Sequence, residues 1–328
     1  MGVTDATRFG YDVLTNVVGD LVFAIGLAVA ALLVSDVLWR RALHAFFGVT
    51  RPSRSAIRVR LSCINVVPGG ARATDRIAGG FVGPAMSEQE YRLALRLTRV
   101  VQRRPMVRAL SALMESTRSA GTEPVVCKIG SSPPYEGEAP VEFESDAELA
   151  RRLRRQLAGG TFVLIGEPMY NLLTRFVLHE APSRFLFVGG LEPGAGPART
   201  IQVRNAYHTP ADAVDEDYER KVEDGVAIEY GVLERIVDWN GSTIFLCAGT
   251  STASTVAAVR ELVEWRDLRT RFVAGRGGRR REPGVEPLNG SFGILYEVRV
   301  ADREAVPEPH EVLERWCYPP SGPSGRRR

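Results

Sequence analysis

Residues 161–180 read TFVLIGEPMYNLLTRFVLHE. The first five form a continuous apolar run of the kind found in strands buried on both faces. Gly166, Glu167 and Pro168 then turn the chain. Asn171 stands at the N-cap position, and residues 172–180 continue as a helix. Residues 242–248, STIFLCA, repeat this order. A buried-type strand leads into Gly249-Thr250-Ser251-Thr252-Ala253-Ser254-Thr255, and a helix is expected over 256–268. Strand, glycine turn and helix, used twice, predict an α/β fold. Its mostly parallel sheet is expected to carry helices on both faces.

The flanking segments extend this pattern. Residues 56–67, AIRVRLSCINVV, alternate as a strand, with Ile57, Val59 and Leu61 on one side. Ser87 and Glu90 have capping-box spacing ahead of a helix reaching about Arg103. Pro105 ends or kinks it, and a short helix is expected over 107–117. Residues 124–129 are expected as a short strand. Ser145 or Asp146 caps a helix with Leu149, Leu153 and Leu157 on its apolar stripe, stopped by Gly159 and Gly160. Strands are also expected over 184–188 and 291–300, the latter at a sheet edge. The composition of residues 319–328 predicts a disordered tail.

In open α/β sheets, ligands bind beyond the carboxyl ends of the strands, near a switch in strand order. Both glycine turns belong there. Gly249, Thr250, Ser251, Thr252 and Ser254 offer a close backbone approach, hydroxyls and a helix N-terminus suited to an anion. The same residues also serve as ordinary caps and turn residues. A Gly249→Val exchange is expected to abolish binding and leave the fold intact. Gly166, Glu167 and Asn171 form the second candidate. Glu167 can hold a ribose hydroxyl, act as a general acid or base, or lie in solvent as a turn residue. Neither turn is a Walker A loop or a GxGxxG fingerprint. His179 and His208 lack metal-ligand spacing, and Cys63, Cys127, Cys247 and Cys317 form no CxxC, so no metal site is expected. The acidic segment 206–219 is a surface loop or a lid over the strand ends.

The order VLIGEPMYNLLTR, acidic segment, IFLCAGTSTASTVAAVREL resembles uncharacterised bacterial membrane-anchored Rossmann-like domain proteins over about residues 146–265. Gly166, Pro168, Asn171 and Gly249 match the pattern. Glu167 departs from it, standing where a small residue is expected, and would narrow the pocket. The resemblance implies sensing of a nucleotide-like ligand rather than an established activity.

Far from these turns, residues 21–34, LVFAIGLAVAALLV, contain no charge. Extended to 17–38, the segment has the ~20 helical residues that cross a bilayer. Arg40, Arg41, Arg51, Arg54, Arg58 and Arg60 follow it with no acid between Trp39 and Arg60. Cationic flanks remain cytoplasmic, which places residues 1–16 outside, 39–55 as a basic juxtamembrane linker and 56–318 in the cytoplasm. This last part forms one domain or two subdomains, 56–140 and 141–318. A signal peptide would need a basic start that residues 1–12 lack. A long buried core helix is the remaining alternative. Gly19, Ala24, Gly26, Ala28 and Ala31 suit self-association of a single span.

The chain is 45% hydrophobic and 25% charged, with a formal net charge of +3, and Lys128 and Lys221 are its lysines. This balance is ordinary for a globular protein and gives no reason to expect nucleic-acid binding. No cofactor is expected. Three readings remain. In the first, the protein binds a small anionic, nucleotide-derived ligand in a sensing or signalling role. In the second, it is a tethered scaffold for a protein partner. In the third, Glu167 serves a nucleoside or NAD glycosidase. Few acid–base groups stand at either turn, so binding is expected ahead of catalysis.

Overall fold

The computed structural model describes residues 3–49, 57–61, 64–66, 83–85, 87–102, 127–131, 146–168, 170–181, 183–188, 200–204, 214–264, 290–300 and 309–318. Their contacts divide the chain into two compact units, Met1–His44 with Arg103–Thr122, and Ala45–Gln102 with Glu123–Arg328. The expected helix over 107–117, the tail and His208 lie outside the described residues.

In chain order the elements are α1 (Val3–Phe47), β1 (Ile57–Leu61), β2 (Ile64–Val66), β3 (Gly83–Ala85), α2 (Glu88–Gln102), β4 (Cys127–Ser131), α3 (Ala147–Gln156), β5 (Thr161–Ile165) and α4 (Leu172–Glu180). Then follow β6 (Phe185–Val188), β7 (Thr200–Arg204), β8 (Val214–Glu219), β9 (Lys221–Glu223), β10 (Val226–Trp239), β11 (Ser242–Gly249), α5 (Thr252–Val263), β12 (Ser291–Val300) and β13 (Pro309–Tyr318).

Helix α1 contains one stretch, Thr15–Phe47, long and apolar enough to cross a membrane, and none of its most apolar window is buried. Leu21, Val22, Phe23, Ile25 and Leu27 are all more than half exposed, unlike the side chains of a core helix. The helix continues past the expected end of the span, as far as Phe47.

The main sheet has the order β13-β12-β10-β11-β5-β1-β4, with β9 added beside β10. Strands β4, β1, β5 and β11 are mutually parallel, and β12 runs the same way through two antiparallel steps across β10. Strands β10 and β13 run against them. The sheet is therefore mostly parallel by direction, as expected, but one flank is antiparallel. Strand β12 is an interior strand rather than the expected edge. The long β10 corresponds to no expected strand. It enters and leaves through Asp224-Gly225 and Asn240-Gly241, all four residues at positive φ. Asp-Gly and Asn-Gly pairs favour the tight hairpin turns that join antiparallel strands.

Side-chain alternation assigns the two faces of the sheet. Phe162, Leu164, Ile244 and Leu246 pack with Leu153 and Leu157 at α3 and with Leu173, Phe176 and Val177 of α4. Burying a side chain such as Phe176 contributes about 1.5–3 kcal/mol. On the same face, Phe185, Phe187, Ile201 and Val203 of the small sheet β6-β7-β8 cover Ile228, Tyr230, Val232 and Leu295. Part of the expected acidic loop is thus β8. Helices α5 and α2 pack together on the opposite face, α5 over β10 and β11 and α2 beside β4. The Thr98 hydroxyl of α2 donates to Cys127 Sγ at 3.4 Å.

The sheet also grips the chain at residues 45–49. Phe46 and Phe47 stack on Phe245, with centroids 5.5 and 5.2 Å apart, and the Thr161 hydroxyl donates to the Phe47 carbonyl at 2.7 Å. Gly48, at φ 66°, passes so close to Thr243 that a Cβ there would lie 2.9 Å from Thr243 Cβ. Arg235, 2% exposed, donates to the Gly290 and Ala45 carbonyls at 3.2 and 3.1 Å. Its guanidinium lies over the Phe46 and Phe245 rings. Burial lowers its pKa to about 10, so it remains charged at neutral pH.

Candidate functional site

The parallel strands lie side by side in the order β4-β1-β5-β11, so the strand order reverses between β1 and β5. Beyond the carboxyl ends of those strands, an open sheet offers its crevice. The turn after β5 lies at that point. Gly166 adopts φ 119°, a conformation open to glycine and strained for other residues. Its N–H donates to the Cys247 carbonyl at 3.0 Å, which ties the end of β5 to β11.

Asn171 holds this turn together. Its Oδ1 accepts from the backbone N–H groups of Leu173 and Thr174, both at 3.1 Å, and so caps α4. Its Nδ2 donates to the Ile165 carbonyl at 2.9 Å and to the Arg60 carbonyl at 3.3 Å. One fully buried side chain thus bridges the ends of β1 and β5 and starts the helix above them. Asn171→Ala is expected to destabilise the protein by about 2 kcal/mol, the loss of a cap plus unpaired strand carbonyls. Thermal unfolding in detergent micelles measures it.

Glu167 is 7% exposed, so it is not a turn residue in solvent. Its carbonyl accepts from Tyr170 and Asn171 N–H at 3.1 and 2.9 Å, which leaves the shape of the turn to the backbone. Burial, and then the charge of Glu167, raise the Tyr170 phenol above its ordinary pKa. Tyr170 is therefore a neutral hydroxyl at physiological pH, able to donate or accept.

The second turn lies one strand away, since Cys247 pairs with Ile165. Its helix begins at Thr252, earlier than expected, and draws the hydroxyls into the fold. Ser251 and Ser254 form a reciprocal capping box. The Thr250 hydroxyl accepts from Tyr230 N–H at 3.1 Å, and Thr250 N–H donates to the Tyr230 carbonyl at 2.9 Å. The Ser251 hydroxyl donates to Glu229, whose carboxylate also pairs with Arg220 at 3.0 Å. Glu229 is 3% exposed. The anion attracted by this helix N-terminus is the chain's own carboxylate. Thr252 alone of the candidate hydroxyl residues here is exposed.

The two turns thus lie side by side, but their resources differ. The turn after β5 sits at the strand-order switch with Glu167 and Tyr170. The turn after β11 is filled by its own side chains. Burial pushes the Cys247 thiol well above its ordinary pKa, which leaves it unreactive. His179 is half-exposed beside Glu180. Among the described residues no group of His, Cys, Asp and Glu is placed to hold a metal ion.

Two groups were not anticipated as part of this region. Glu229 gave no signal, because a glutamate in a buried strand reads as a solvent-facing position. Arg58 and Arg60 were signalled by their period-2 spacing in AIRVRL, which puts both on the face opposite Ile57, Val59 and Leu61. No protein-family model matches the chain, and neither a curated protein nor a solved structure matches it significantly.

Proposed function

We propose that this chain is a membrane-anchored, Rossmann-like binding protein that takes a small nucleotide-derived ligand at the carboxyl edge of its parallel strands. The observation that carries this reading is the Asn171 bridge between the Arg60 and Ile165 carbonyls, with buried Glu167 in the same turn. That bridge marks the strand-order switch, where α/β sheets hold ligands. Glu167 suits a ribose hydroxyl, and Tyr170 supplies a neutral donor beside it. The apolar stretch of α1 supports anchoring, and the arginines that follow support a cytoplasmic position for the sheet. Helix α4 and its capped turn are a rigid platform for sensing rather than an acid–base machine.

The test is a thermal-shift panel on the full chain in detergent micelles, with adenosine, ATP, UDP and NAD as probes. A ligand at 100 times its Kd adds ~2.7 kcal/mol of stability. Glu167→Gln is expected to weaken binding of the stabilising probe about tenfold while leaving unfolding without ligand within ~1 kcal/mol. Absence of a shift with every probe contradicts the proposal. Incubating the stabilising probe with the protein and assaying for release of free base tests the glycosidase alternative.

The internal pairing of Thr250, Ser251, Ser254 and Glu229 favours a second reading for the other turn. There the sheet edge is structural, as in a tethered scaffold with no small ligand.

A further inference from the structure

Arg58, Arg60 and Lys128 stand on one face of the two strands beside the turn. Arg58 and Lys128 are register partners on β1 and β4, and Arg60 follows two residues along. The three positions span about 7 Å along the strand and about 5 Å across it. Arg58 lies over the Phe162 ring, 5.3 Å from its centroid. Arg60 lies across the next strand, where a Cβ added to Gly130 would fall 2.6 Å from its Nη1. Gly130 is what permits this reach. Among the described residues none of the three has a carboxylate partner, whereas Arg154, Arg220, Lys221, Arg260 and Arg299 each have one. Burial, and then the charge of Arg58, lower the pKa of Arg60 below its ordinary value. Like charges held close with no acid between them are costly unless an anion joins them.

We propose that Arg58, Arg60 and Lys128 bind the oligophosphate portion of a nucleotide. The proposal rests on the ligand site above and names the charged part of its ligand. Planar guanidinium groups match phosphate oxygens in pairs, and Lys128 adds a mobile point charge. The patch has the footprint of two or three linked phosphates, too short for an extended acidic peptide. It adjoins the proposed nucleoside pocket through Asn171, whose amide contacts the Arg60 carbonyl.

Titration calorimetry on the full chain in micelles of uncharged detergent tests this with sodium pyrophosphate, ATP and adenosine. Pyrophosphate is expected to bind, more weakly as salt rises. Replacing the three residues together, R58Q, R60Q and K128Q, is expected to cost at least about tenfold in affinity for pyrophosphate and ATP and to leave adenosine unaffected. Gly130→Ala should fold normally, because its Cβ displaces the end of a flexible arginine, and should cost about threefold by moving Arg60 alone. If the triple variant does not fold, Gly130→Ala and the exposed Lys128→Gln decide the matter. Unchanged pyrophosphate affinity in the variants overturns the proposal. Binding of adenosine without pyrophosphate also overturns it, yet leaves the nucleoside site standing. Binding of no probe overturns both.

Discussion

Gly231→Val is expected to destabilise the protein by about 3 kcal/mol or more, the upper range for overpacking against an immovable neighbour. Gly231 and Gly249 are register partners on β10 and β11, and the first turn of α5 lies directly over them. A Cβ at Gly231 would fall 2.5 Å from the Ser254 carbonyl oxygen, and one at Gly249 would fall 2.8 Å from Ser254 Cβ and Thr255 N. The obstacles are backbone atoms and a capping serine, so no side-chain rotation relieves them. The expectation that Gly249→Val leaves the fold intact is therefore corrected. Gly249 is needed for helix–sheet packing, and its variant is expected to unfold with Gly231→Val. A shift of 3 kcal/mol lowers Tm on the order of 6–12 °C in a domain of this size. A Tm unchanged in both variants would show that α5 does not press on these strands.

Arg235→Ala is expected to cost about 3–5 kcal/mol. The guanidinium fills a buried space beside the Phe46 and Phe245 rings and donates to the Gly290 and Ala45 carbonyls. Truncation leaves a cavity, a buried Gly290 carbonyl without its donor and a half-buried contact to Ala45 broken. Arg235→Lys is expected to rescue little, because an ammonium cannot serve both carbonyls from one planar fork. Hydrogen exchange in Arg235→Ala should quicken first at Phe46, Phe47 and Gly48, whose hold on the sheet depends on this residue. Unchanged exchange at those amides would contradict the role given to it.

The parallel half of the sheet was legible because β5 and β11 are short apolar runs closed by glycine turns and β1 alternates apolar with charged residues. Residues 161–165 and 172–180 match the observed strand and helix, and Asn171 is the cap that its position implied. The antiparallel half was not. Glu229, Glu234 and Arg235 break the apolar run of β10, and each is buried with its own partners. Glu234 accepts from the Ser183 hydroxyl at 2.6 Å and from Arg184 N–H at 3.0 Å. Charges satisfied by residues tens of positions away cannot be told from solvent-facing charges by local pattern. Asp224-Gly225 and Asn240-Gly241 did carry the hairpin signal, and read together they frame β10.

The candidate site divides in the same way. Its backbone frame, a glycine turn and a capping asparagine, is local and therefore readable. That the Ser251 hydroxyl meets Glu229, and that Arg60 crosses Gly130, depends on strand order and register. By residue type alone the hydroxyl-rich turn after β11 reads as an anion site. Register shows those hydroxyls turned to the fold's own needs.

Amide hydrogen exchange of the full chain in micelles, with and without saturating ATP, tests the central claim most directly. The account predicts slowed exchange in the turn 166–173 and at the end of β1 near Leu61, with residues 250–255 unchanged. No change anywhere, or protection confined to residues 250–255, would contradict a ligand site at the switch between β1 and β5.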